Sequence, residues 1–233
     1  MSRAAPLEVG RRGLDELLGG GVPRGQVVEV SGSSSSGKAT LAFGACLRAL
    51  ERGQAAAWID AAGGFWPVSA VEAGMPLDKL LVVKVQGGTA ALRAAHILLS
   101  SSGAVAALVV DLPPAAQARE RELVALQRLA ERSTTALLFL TARPRSAPSL
   151  GAAVALRLHV ERRTGGRVRI EVLRNKQGAS HRSIEEMMGE RPEEIALEEP
   201  PVLVASVRPA ETERLDTPER DDGPDRVRAG SAL

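Results

Sequence analysis

The sequence predicts an α/β fold: a mainly parallel twisted sheet flanked by helices, with an antiparallel hairpin at its edge. Three observations carry this. Apolar or β-branched runs of strand length recur at QVVEVS (26–31), AAAWID (55–60), LLVVKV (80–85), VAALVVD (105–111) and ALLFLT (136–141). Longer stretches with helical spacing separate most of them, the alternation of a parallel sheet covered by helices. Finally, VALRLHV (154–160) and RVRIEVL (167–173) flank a turn containing Gly165 and Gly166, as two antiparallel neighbours would.

In chain order, QVVEVS is followed by a helix from Lys38 to Arg52, ended by Gly53. A second clear helix runs from Gln117 to Arg132, with Leu123, Leu126 and Leu129 on one side. From about Ser206 the chain is Pro, Glu, Asp and Arg with few apolar residues, too polar to fold alone. The expected organisation is a folded core over 1–182, an acidic extension over 183–206 packed on that core, and a disordered tail over 207–233.

With 233 residues and 44% hydrophobic content the chain can bury one substantial core. Its single cysteine, Cys46, excludes an intramolecular disulfide framework and reads as a buried thiol on a helix. No run is long and apolar enough to span a membrane, and the N-terminus lacks a signal-peptide core, so the expected location is cytoplasmic. The net charge of +2 hides an asymmetry: residues 1–182 carry 24 basic against 14 acidic side chains, residues 183–233 carry 6 against 14. Of the basic residues 26 are arginine, while aromatics are two Trp, three Phe and no Tyr. Any DNA binding would therefore rest on phosphate contacts more than on base stacking. His96, His159 and His181 have no ligand-like spacing.

The stretch SGSSSSGKAT (31–40) has the spacing of a phosphate-binding loop, G-x-x-x-x-G-K, between a strand and a helix. Gly32, Ser33, Ser34, Ser35, Ser36 and Gly37 would present backbone N–H groups to an anion, and Lys38 would reach the β- and γ-phosphates of ATP. The hydroxyl that ligates Mg²⁺ directly after the lysine is missing; that position is Ala39, and the hydroxyl comes one residue later on Thr40. Asp111, at the end of an apolar strand, has the form of the acid that holds the Mg²⁺ water shell.

GLDELLGGGVPRGQVVEVSGSSSSGKAT, followed by AAAWIDAA, DKLLVV, AALVVD, LLFLTA and VRIEVLRNKQG, resembles the ATPase core of the RecA family over roughly residues 7–178. In its trimmed form the chain is most similar to the ImuA branch, SulA-like accessory proteins of bacterial translesion mutagenesis. The resemblance implies an ATP and Mg²⁺ site formed by Gly32, Gly37, Lys38, Thr40 and Asp111. It also marks losses. The water-polarising glutamate falls at Ala62, the γ-phosphate sensor at Thr141 or Ala142, and the adenine-stacking tyrosine at Ser69. Trp66 could supply an aromatic face instead, and Asp60 could partly replace the lost carboxylate. The basic pair that acts on a neighbouring subunit's nucleotide corresponds to Arg174 and Lys176, which equally read as a solvated strand end.

RecA proteins grip single-stranded DNA with two loops. The first interval is nearly filled here by the helix 117–132; the second, ARPRSAPSLGAA (142–153), carries Arg143 and Arg145. Arg162, Arg163, Arg167 and Arg169 add a basic hairpin turn, which also reads as protection of a sheet edge. Two functions remain: a weak, DNA-stimulated ATPase in damage tolerance, able to self-associate, or a non-catalytic adaptor docking a translesion polymerase or RecA. No membrane partner is expected.

Overall fold

The computed structural model describes residues 4–101, 105–114, 116–187 and 204–206. Its strands are β1 (Gln26–Ser31), β2 (Ala56–Asp60), β3 (Leu80–Lys84), β4 (Ala107–Asp111), β5 (Ala136–Thr141), β6 (Val154–Arg162), β7 (Arg167–Asn175), β8 (Ser183–Met187) and β9 (Val204–Ser206). The helices are α1 (Arg12–Leu17), α2 (Lys38–Glu51), α3 (Pro67–Glu72), α4 (Gly87–Ser100) and α5 (Glu120–Ser133). All nine strands form one sheet in the order β8-β7-β6-β1-β5-β4-β2-β3-β9. Pairing is parallel from β6 to β9 and antiparallel at β6–β7 and β7–β8, the mainly parallel α/β arrangement that the strand and helix alternation predicts.

The central strands are mostly apolar because both faces of the sheet are covered. On one face Val28, Val30, Trp58 and Leu138 meet Leu14 of α1, Leu41 and Cys46 of α2 and Ala70 of α3. On the other, Val27, Ile59, Leu108 and Phe139 meet Ala91 and Ala95 of α4 and Leu123 and Leu126 of α5. Phe43, Trp58 and Phe65 cluster on the first face, with ring centroids 4.8, 5.9 and 5.5 Å apart.

Three features differ from the spacing-based reading. Helix α5 starts at Glu120 because the Arg119 N–H donates to the Glu122 carboxylate at 2.9 Å, which fixes Arg119 as the cap. SIEEM, read as acidic extension, is a sheet strand with Ile184 opposite Ile170 and Glu185 opposite Arg169. The Glu186 carboxylate also accepts from the Leu14 N–H at 3.1 Å, tying this strand to α1. Residues 204–206 pair with β3 at the far edge of the sheet. The rest of the acidic segment (188–203) and the tail (207–233) lie outside the described residues. Among the described residues no helix is long and apolar enough to cross a membrane.

Gly44 provides a test of packing against propensity. It lies inside α2, where alanine is ordinarily better by about 1 kcal/mol. A Cβ there would stand 2.0 Å from the backbone oxygen of Val9. Gly44→Ala is therefore expected to lower the urea midpoint; a rise would show that the 7–10 segment moves aside at little cost.

Candidate nucleotide site and basic surface

The site forms where β1 ends between β5 and β6. A Cβ at Gly32 would lie 2.4 Å from the Val160 carbonyl oxygen and 2.6 Å from the Ser36 hydroxyl, so only glycine fits. The Gly32 N–H donates to the Thr141 carbonyl at 3.1 Å, anchoring the loop to β5. Gly37, with φ of 98°, makes the left-handed turn into α2 and leaves the helix N-terminus facing the loop. The Lys38 ammonium lies inside this curve, donating to the Gly32 carbonyl at 3.0 Å and the Ser33 carbonyl at 3.2 Å. Burial pulls its pKa down, against the opposing pull of Asp111.

These residues fit a nucleotide phosphate with its metal. The buried Ser36 hydroxyl has no hydrogen-bond partner among the described residues, and the loop otherwise offers N–H donors and an ammonium. Gly32 to Lys38 would hold the phosphates of a bound ATP and Asp111 would hold its Mg²⁺, which would supply neutralisation of the phosphate charge. Ala39 packs against the core, and Thr40 follows it, half-buried, in the first turn of α2.

Asp111 ends β4 in register with Asp60 of β2. Burial pushes the Asp111 carboxyl up to about 6, Lys38 opposes this, and Asp60 adds to it. The Asp60 carboxylate accepts the N–H groups of Gly64 at 3.0 Å and Phe65 at 3.3 Å, so it shapes the turn after β2. That turn passes close to Asp111: a Cβ at Gly64 would lie 3.0 Å from Asp111 Oδ2. Ala62 and Ser69 are exposed near it, and Trp66, 64% exposed, is the residue from which α3 starts. The Thr141 hydroxyl donates to Glu29 Oε1 at 3.0 Å.

The candidate DNA residues divide into engaged and free. Arg145 makes a bidentate pair with Glu171, 2.7 Å at each contact, which holds the Glu171 carboxyl low. Arg143 donates to the Pro148 carbonyl at 3.1 Å and lies 3.9 Å from Glu29. On the hairpin, Arg163 pairs with Glu161 and Arg169 reaches the Ser183 hydroxyl, whereas Arg162 and Arg167 are exposed without such a contact among the described residues. Arg174 donates to the Ser149 hydroxyl at 2.9 Å and the Ala152 carbonyl at 3.3 Å, and Lys176 to the same carbonyl at 2.6 Å.

Sequence reasoning missed what organises this surface. Glu29 is fully buried in β1, beside Arg157 of β6, which is 3% exposed. Its carboxylate lies 3.6 Å from Arg157 Nε and accepts the Leu150 N–H at 2.8 Å. The Arg157 guanidinium donates to the carbonyls of Pro144 and Ala147. A second carboxylate, Glu120 of α5, accepts the N–H groups of Ala152 and Ala153, each at 2.7 Å. The signal was present: a lone Glu in QVVEVS and a lone Arg in VALRLHV, each inside an apolar strand.

Comparison with known proteins bears on the family and the fold. The RecA N-terminal domain family matches residues 3–128. Protein RecA of Acidiphilium cryptum is 43% identical over 106 residues, 45% of this chain and 31% of that protein. Protein RecA of Rhodospirillum centenum is 41% identical over 112 residues, 48% of this chain and again 31% of the relative. The chain thus spans under a third of the curated relatives it matches. The crystal structure of the RadB recombinase superposes with a TM-score of 0.64 at 21% identity, covering 77% of this chain and 94% of that one, a likeness of fold.

The raised Asp111 carboxyl makes a signed prediction. Between about pH 4, where the unfolded carboxyl titrates, and about 6, the folded protein holds the extra proton. Stability from this group is complete below that window and lost as pH rises through it. Asp111→Asn should therefore raise the unfolding free energy relative to wild type at pH 7.5, by about 3 kcal/mol, and change it little at pH 4. Equal effects at both pH values in urea titrations would contradict the assignment.

Proposed function

Because the chain belongs to the RecA N-terminal domain family, we propose that it is a RecA-like accessory factor of the ImuA kind. On this reading it acts in the cytoplasm in the damage-induced (SOS) response, in DNA repair by error-prone translesion synthesis, binding ATP with Mg²⁺ and hydrolysing it slowly. The observation that carries the reading is Lys38, held against the Gly32 and Ser33 carbonyls with its helix N-terminus and the unpartnered Ser36 hydroxyl around it. Its partners are single-stranded DNA, bound without sequence preference, a translesion polymerase-type protein, RecA, and further copies of itself. Slow turnover follows from Ala39 and Ala62, which remove a metal-ligating hydroxyl and a water-orienting carboxylate. Asp60 is a weak substitute because both its oxygens already accept backbone N–H groups.

A second reading, a non-catalytic adaptor docking a polymerase or RecA, is favoured by one observation. Arg174 and Lys176, the pair that would act on a neighbour's nucleotide, satisfy oxygens at 149–152 of their own chain.

Three measurements follow. Steady-state phosphate release should be slow in the wild type and lost in Lys38→Ala; equal rates would place the activity elsewhere. Arg174→Ala with Lys176→Ala should slow release if the pair acts between subunits. It should only lower the melting temperature if the pair is a structural tie. For DNA, neutralising Arg162 and Arg167 should reduce the slope of log affinity against log salt by about 1.4, at roughly 0.7 per phosphate on single strands. If replacing Arg143 and Arg145 reduces it instead, the engaged arginines release their partners to bind DNA.

A further inference from the structure

The outer face of α5 carries three guanidinium groups in a row. Arg121, Arg128 and Arg132 are exposed, and among the described residues no hydrogen bond or ion pair engages them. At about 100° per residue they fall within about 40° of one another, spread along about 16 Å of helix. Arg93 of α4 is likewise exposed on this side of the sheet. Two acids that would neutralise the row are occupied: Glu120 accepts the Ala152 and Ala153 N–H groups, and Glu122 accepts that of Arg119. Glu131 lies three residues after Arg128, about 60° around the helix from it and about 80° from Arg121, and among the described residues it makes no ion pair with either. The opposite layer differs, since Arg12 pairs with Glu16, Arg48 with Glu51 and Arg52 with Glu8. The two helical layers therefore differ in charge compensation, with uncompensated cations along α5.

The chain holds a matching anion. Residues 188–203 join β8 to β9, and they contain Glu190, Glu193, Glu194, Glu198 and Glu199 against one basic residue, Arg191. The two strands they connect lie at opposite edges of the nine-stranded sheet. Eight strand spacings make about 38 Å, and the 17 steps from Met187 to Val204 reach at most about 60 Å. The segment is thus long enough to cross a helical layer and too short to wander far from it. Attachment at both ends also raises its local concentration at the surface it crosses.

We propose that the Arg121, Arg128 and Arg132 face of α5 is a docking surface for the chain's own Glu190–Glu199 segment. Docking gives each row the counter-charges it lacks. Individually such exposed pairs are weak, each worth about 0.2–1 kcal/mol. The contact therefore depends on several pairs acting together on a tethered chain and weakens with salt.

The test is cross-linking in the full-length chain. Cys46 is buried and leaves introduced thiols to react alone. Arg128→Cys is combined with Glu194→Cys; the control pairs Glu194→Cys with Glu51→Cys on the opposite layer. With a short bismaleimide at low salt, the Arg128→Cys pair should close within one molecule at least about fivefold faster than the control. That advantage should vanish near 1 M salt, where the screening length is about 3 Å, and when Arg121 and Arg132 are both replaced by Gln. Equal rates for the two pairs, a faster control, or an advantage that survives high salt would overturn the proposal. Cross-links formed only between molecules would overturn it as well, since the occupant would then be a second copy.

Discussion

One buried carboxylate organises the functional end of this molecule. Glu29 lies in the middle of β1 with no solvent access, and an ionised group there is tolerated only if its lone pairs are met. They are met by the Thr141 hydroxyl of β5, the Leu150 N–H and the Arg157 guanidinium of β6. Arg157 carries the constraint outward by holding the carbonyls of Pro144 and Ala147. Because Gly32 bonds to Thr141 three residues after Glu29, the phosphate loop and the 142–150 segment hang from the same three strands. A buried ion pair of this kind adds little net stability, and its consequence is a single arrangement of the groups around it.

That arrangement uses up most of the basic side chains that would serve a gripping loop. Arg143, Arg145, Arg174 and Lys176 all have partners within the chain. Arg162 and Arg167 of the hairpin and the row along α5 have no side-chain partner among the described residues. The end around Lys38 is built the opposite way, with a hydroxyl that has no partner among the described residues, a buried ammonium and a carboxyl pushed up to about 6 by burial. One end is prepared for a ligand while the other has been closed on itself. On the reading proposed above, such a molecule would bind nucleotide more readily than it turns it over.

Much of the fold could be read from the chain because a parallel sheet covered on both faces writes itself as apolar runs. QVVEVS and ALLFLT are strands from their first residue to their last. SIEEM could not be recognised in this way: two adjacent glutamates obscure the alternation that leaves Ile184 and Glu186 half-buried at the sheet edge. The shape of the 32–38 loop was legible because it is local, set by Gly32, Gly37 and Lys38. The roles of Arg145, Arg157 and Arg174 were not, because each depends on a partner brought near only by folding, Glu171, Glu29 and Ser149. Ala39 and Ala62 were legible as losses, and their side chains, one packed on the core and one exposed, supply no substitute for the missing groups.

The central claim is that the cradle around Lys38 is a nucleoside triphosphate site despite those losses. Equilibrium dialysis with a non-hydrolysable ATP analogue, with and without Mg²⁺, tests it without relying on turnover. The account predicts saturable one-to-one binding that strengthens with Mg²⁺ and weakens below about pH 6, as Asp111 gains its proton. Binding that never saturates, or that is indifferent to Mg²⁺ and unchanged in Lys38→Ala, would contradict it.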